Sequence, residues 1–231
     1  MKENEMTFLD HLDELRRHLL RGIVAVIIGG ILGYILGNRV ISLLSKPVGE
    51  LYFFSPPEAF LIRLKVAGAV GFVIAMPYLL FELWGFVTPG LTPQEKKFAV
   101  PLVTVGTFLF YTGSSFGFFL VLPLGIKVLM GFGGEHLVGL INASRYFNFV
   151  IIFLLVFGLL FELPVVMFFL VKIGIMEPST LAKRRREVIV GIFILAAVLT
   201  PSVDFITQLL LAIPLIILFE IGLLASRLGK K

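Results

Sequence analysis

The sequence contains no cysteine, so it can build neither a disulfide framework nor a thiolate metal site. Its three histidines, at positions 11, 18 and 136, are too few and too scattered to suggest a metal centre. Charge is scarce as well. Asp, Glu, Lys and Arg make up 15% of the residues, where about a quarter is usual in a soluble domain. No Gly-x-x-x-x-Gly-Lys-Ser/Thr phosphate loop is present, so any energy for work must come from outside the chain. Alternating strands of about ten residues are missing, and runs such as Val150 to Leu160 do not alternate, which argues against a membrane β-barrel. The N-terminus is polar and amphipathic with several acidic residues, unlike a cleavable signal peptide.

What remains is apolar. Of 231 residues, 58% are hydrophobic, 24 are Phe, and mean hydropathy is +1.02. Runs of about 20 apolar residues, enough to cross about 30 Å of hydrocarbon, recur along the chain. The expectation is an all-α polytopic membrane protein. Six spans can be drawn, at about 19–37, 64–87, 98–129, 146–172, 187–200 and 204–225. Residues 1–18 are expected to form an amphipathic helix on the membrane surface, with Phe8, Leu12, Leu15 and Leu19 on one side.

Orientation follows from the basic residues. With the N-terminus in the cytoplasm, the cytoplasmic segments hold four, two, five and three Lys or Arg, 14 of the 20 present. The positive-inside bias therefore places both termini in the cytoplasm. The fifth span, about 14 residues or about 21 Å of helix, is too short to reach the far interface and calls for local thinning of the bilayer. Prolines 77, 101, 123, 164 and 214 fall within spans and should bend them, giving a curved, concave assembly of unequal helices.

One short motif recurs. Leu79-Leu80-Phe81-Glu82-Leu83 is repeated as Leu159-Leu160-Phe161-Glu162-Leu163, with Ile217-Leu218-Phe219-Glu220-Ile221 a near copy. All three copies run in the same direction, which does not support an inverted repeat. Depth separates them. Glu82 and Glu220 lie about 8 and 10 Å from the cytoplasmic interface, within reach of solvent, whereas Glu162 is about 15 Å deep. A charge there costs at least a few kcal/mol unless neutralised or hydrated. Asn148, about 40° away on the same helical face, is one candidate partner. The stripe Thr104, Thr107, Tyr111, Ser114 and Ser115 on the third span is another. Two readings of Glu162 stand side by side: a protonated interhelical hydrogen-bond donor, or a contact for substrate or partner.

On the cytoplasmic side, Thr92-Pro93-Gln94-Glu95 reads as a capping box opening the third span. Asp204 suits the first turn of the last helix, where a negative charge complements the dipole. Arg184-Arg185-Arg186 reads as a positive-inside anchor.

The chain also resembles the TatC family, the multi-spanning subunits of the twin-arginine protein translocase. The resemblance runs from Thr7 to the C-terminus. It rests on His-Leu-x-Glu-Leu-Arg at 11–16, Ser-Pro-x-Glu at 55–58, Phe-x-x-Pro-x-Leu-x-x-x-Glu at 86–95, Phe-Glu-x-Pro at 161–164, Thr-Pro-x-x-Asp at 200–204 and Leu-Leu-Ala-Ile-Pro at 210–214. It implies a non-enzymatic receptor and core subunit in the cytoplasmic (inner) membrane of a prokaryote, driven by the proton-motive force and needing no cofactor. The implied partners are twin-arginine signal peptides of folded precursors, the single-span subunits TatA and TatB, membrane lipid and other copies of the chain, with no nucleic acid. Carried over by motif, Glu95 and Glu14 would meet the paired arginines, Phe86 and Leu91 would shape the apolar part of the site, and Arg16 would belong to it. Carboxylates suit guanidinium groups bidentately in a way lysine does not reproduce. Glu162 would be the intramembrane polar residue, while Gln208 and Asp204 would lie on the partner-contact surface. The competing class is a proton-coupled small-solute transporter with Glu162 as its titrating group. A third, a purely structural scaffold, leaves the 86–95 segment unexplained.

Overall fold

A computed structural model describes residues 8–131, 140–199 and 205–229. Ten α-helices follow one another in these segments: α1 (Phe8–Ser45), α2 (Pro56–Val87), α3 (Pro93–Lys96), α4 (Ala99–Phe116), α5 (Leu122–Gly131), α6 (Ala143–Leu160), α7 (Leu163–Lys172), α8 (Pro178–Lys183), α9 (Arg185–Leu199) and α10 (Phe205–Gly229). Five stretches are long and apolar enough to cross a membrane: His11–Ser45, Pro56–Gly90, Ala99–Gly131, Ala143–Lys172 and Phe205–Arg227. The chain is a multi-pass, all-helical membrane protein. α9 has 15 residues, about 22 Å of helix, and falls short of the hydrocarbon thickness.

Three boundaries differ from the sequence expectation. The amphipathic segment and the first span are one helix, because no proline or capping glycine separates Asp13-Glu14-Leu15-Arg16-Arg17 from the apolar run. At its far end α1 carries on through Arg39 to Ser45, and α2 begins at Pro56, so the first loop shrinks from 38–63 to residues 46–55. Polarity marks where the hydrocarbon ends, not where backbone hydrogen bonding stops.

The prolines act unequally. Pro77 and Pro214 sit inside continuous helices. Pro123 follows a π-helical segment, Gly117–Val121, that joins α4 to α5. Pro164 follows a true break: α6 stops at Leu160, Phe161-Glu162 form a turn, and α7 starts with its proline in the first helical positions, where no donor is lost.

Packing depends on close backbone approach, as expected where lipid removes the hydrophobic drive between helices. Between α1 and α2, a Cβ added at Gly71 would lie 2.5 Å from the Gly30 nitrogen and 2.5 Å from the Val26 carbonyl oxygen. Between α4 and α6, Gly113 receives the Phe161 ring and Gly158 receives Phe110. Gly222 of α10 lies against Pro164 and Met167 of α7. The main core gathers around Val121, Phe147, Val150, Phe157, Leu211 and Leu215.

The two ends are built differently. At one, the Tyr52 end, the two loops pair: Tyr52 N–H donates to Ile141 O (3.0 Å) and Ala143 N–H to Tyr52 O (2.8 Å). Glu58 accepts from Phe54 N–H (2.8 Å), Asn142 Nδ2 (2.9 Å) and Ser144 N–H (3.2 Å). Tyr146 Oη donates to Leu44 O at 2.6 Å, fixing α6 to the end of α1. The opposite, Thr92 end holds the start of α1, the end of α2 and the start of α4.

Candidate functional site

At the Thr92 end, α2 closes in a 3₁₀ turn, Thr88–Gly90, with Thr88 Oγ1 donating to Trp84 O at 2.6 Å. The chain then turns extended at Thr92, the cap of α3. Glu95 Oε2 accepts from Thr92 N–H at 2.8 Å, the reciprocal half of the capping box the sequence predicts. The cap holds Glu95 in place while leaving it half-exposed. Leu91 turns inward and is buried with Trp84, Leu102 and Val165. The Trp84 indole meets Phe169 edge to face, 4.3 Å between centroids.

The other half of the site comes from α1. His11 stacks on Phe86 at 4.5 Å, and His18 approaches the same ring at 6.4 Å. Glu14 Oε2 lies 3.7 Å from His11 Nδ1, buried and without a hydrogen bond among the described residues. Arg16 is exposed. Phe86 and Glu14 are therefore joined through His11, and Leu91 belongs to a separate cluster around Trp84. Among the described residues, Glu14 and Glu95 share no hydrogen bond or ion pair. Both carboxylates lie at one end of the molecule, and each retains capacity to accept: one Glu95 oxygen serves the cap, and among the described residues Glu14 has only a long histidine contact.

The three repeated glutamates meet three environments. Glu82, placed within reach of solvent from sequence, is only 6% exposed. His18 Nδ1 of α1 bonds to its carboxylate, the Tyr78 hydroxyl one turn earlier lies beside it, and Arg21 Nη1 lies 3.9 Å away. The sequence conceals this cluster because its members come from two helices 64 residues apart. Glu220 accepts from Arg185 Nη2 at 2.7 Å, so one arginine of the 184–186 run holds α9 to α10. Glu162 sits at the α6–α7 break, 8% exposed, against Gly106 of α4 and Leu80 of α2. Among the described residues its Oε1 has no hydrogen-bond partner, nor has Thr107 Oγ1.

Four of the partners expected for Glu162 are engaged elsewhere, and Thr107 is not among them. Asn148 accepts from Lys65 Nζ at 2.8 Å. Thr104, Tyr111 and Ser114 donate to the carbonyl oxygens of Val100, Val73 and Leu154. Residues at helical spacing share a face, yet hydroxyls in a low-dielectric setting take the nearest free carbonyl. Gln208 Nε2 donates to Phe193 O at 3.0 Å, joining α10 to α9. Asp204 lies outside the described residues.

The sequence model of the TatC family, described as "Sec-independent protein translocase protein (TatC)", matches residues 10–214. This chain belongs to the TatC family. It is 38% identical to the Sec-independent protein translocase protein TatC of Carboxydothermus hydrogenoformans, across 100% of this chain and 96% of that one. It is 36% identical to the corresponding protein of Aquifex aeolicus, across 98% and 97%. A solved structure described as "Crystal Structure of Twin Arginine Translocase Receptor- TatC" superposes with a TM-score of 0.84 at 36% identity, covering 96% of this chain and 100% of that one. The same receptor in DDM gives 0.85 at 37%. As a TatC-family chain, it is a component of a protein translocase rather than an isolated helical scaffold.

Proposed function

We propose that this chain is the signal-peptide receptor and organising core of a twin-arginine translocase, without catalytic activity, in the cytoplasmic membrane of a prokaryote. The observation that carries this reading is the Thr92 end. Two carboxylates, Glu95 fixed by its capping box and Glu14 beside His11, are presented there with accepting capacity unused, next to Phe86 and Leu91. A pair of guanidinium groups finds bidentate acceptors in such a site, and ammonium groups fit it less well. Arg16, exposed on α1, shapes the field at the rim.

The Thr92 end faces the cytoplasm in this reading, which the distribution of basic residues supports. α9 then makes a sixth, shortened crossing, and both termini are cytoplasmic. The single integral domain spans residues 1–231, its bent helices enclosing a concave face. The short α9–α10 hairpin, with Gln208 and Asp204, contacts single-span subunits of the TatA and TatB kind, further copies of the chain complete the complex, and the proton-motive force supplies the work. The transporter alternative is weakened by the packing of Glu162 against Gly106 and Leu80, with Asn148 and most of the nearby hydroxyls committed elsewhere.

A photo-crosslinking residue placed beside the arginine pair of a precursor tests the reading. Capture by the wild-type chain, lost in Glu95→Ala and Glu14→Ala, is expected. Capture that survives both substitutions unchanged would remove the carboxylates from the site.

A further inference from the structure

A groove of about 610 Å³ opens between the end of α2 and the start of α4. Its lining runs from Thr88, Pro89 and Lys96 at the Thr92 end to Phe81 and Val103. Thr88 stands seven residues beyond Phe81 at the close of α2, so the groove reaches about 10 Å along that helix. Trp84 lines it and is itself buried, whereas Phe81 and Val100, also in the lining, are 58% and 71% exposed. Helix faces that exposed in a membrane protein border lipid, so the groove opens sideways into the bilayer.

Its charge is one-sided. Lys96 is exposed and has no carboxylate within ion-pair distance among the described residues, and no carboxylate is part of the groove's lining. Lys97 follows at the same interface. A cavity with apolar walls, lateral access and an unpaired ammonium group at its mouth has the complementarity of a lipid carrying a negative headgroup. We infer that the α2–α4 groove is a binding site for an anionic phospholipid of the leaflet that Lys96 faces, with an acyl chain against Trp84 and Val103 and the phosphate on Lys96. A zwitterionic lipid offers the same chain but no net charge for the ammonium group. This site is separate from the carboxylates of the receptor reading and does not depend on it.

Trp84 is the only tryptophan in the chain, which gives the site an internal reporter. The full-length protein is reconstituted in phosphatidylcholine vesicles containing a small fraction of brominated phosphatidylglycerol or of brominated phosphatidylcholine, and quenching of Trp84 fluorescence is read. Brominated phosphatidylglycerol is expected to quench about fivefold more effectively per mole fraction, as one interfacial lysine would give. That preference disappears in Lys96→Gln, returns in Lys96→Arg and weakens in high salt. A reporter moved to the exposed face of α9, Trp84→Phe with Val198→Trp, shows no headgroup preference. Equal quenching by the two lipids, or a preference that survives Lys96→Gln, overturns the site. So does an absence of quenching by either lipid, which would mean that another surface, such as a second copy of the chain, covers the groove. Circular dichroism of each variant confirms that helix content is retained.

Discussion

Residue by residue, a pentapeptide and its near copy yield three different glutamates because side-chain surroundings, not local sequence, set their roles. Glu82 is bound across to α1, Glu220 across to α9, and Glu162 is packed without a partner for Oε1. The His18–Glu82 pair should therefore show coupling in a double-mutant cycle of His18→Ala and Glu82→Gln, between about 0.5 and 3 kcal/mol, measured by thermal or denaturant unfolding in detergent. Additivity of the two substitutions would show that the contact does not hold α1 to α2. Glu162→Gln should leave helix content and thermal midpoint near wild type, since it removes a carboxylate that is not hydrogen-bonded at Oε1, so a transport defect in that variant would lie in function. Much of this scale was illegible in the sequence. The capping box of Glu95 could be read because its partners are three residues apart. The partners of Glu82 could not, because they come from elsewhere in the chain, and Asn148 was misassigned because helical spacing is blind to Lys65 on another helix.

At the scale of elements, the helices are held by backbone proximity. Gly71→Leu would drive a side chain into the Gly30 and Val26 backbone, which cannot swing aside as a flexible side chain does. It should destabilise the α1–α2 pair by at least about 1–3 kcal/mol and expose α1 to protease in detergent. A substitution to leucine at Gly68, where no neighbour lies within 4 Å among the described residues, should cost far less. Helix existence was readable from apolar length, and so was the bend at Pro164. Helix ends were not, because α1 crosses two changes of composition without a stop signal. The latch at the Tyr52 end shows the limit most clearly. Ser-Pro-x-Glu could be quoted as a motif, but only the folded chain shows Glu58 collecting Phe54, Asn142 and Ser144 into one knot. Glu58→Ala should therefore raise the rate of proteolytic cleavage within residues 46–55 while leaving the Thr92 end unaltered.

For the whole molecule, helices of unequal length meet a bilayer of one thickness. α1 extends for about 57 Å and α9 for about 22 Å. If α9 is a crossing, the protein should be most stable in bilayers thinner than average, with a falling thermal midpoint as acyl chains lengthen. Constancy across lipids would argue that α9 does not cross. The central claim concerns the Thr92 end, where the sequence motifs, the capping geometry and the family assignment converge. Its most direct test is the equilibrium binding of a fluorescent twin-arginine signal peptide to the purified protein, beside a peptide with both arginines changed to lysine. The arginine peptide should bind about tenfold or more tightly, and Glu95→Ala should erase the difference. Equal binding of the two peptides, with Glu95→Ala indistinguishable from wild type, would reduce Glu95 to a helix cap and contradict the account.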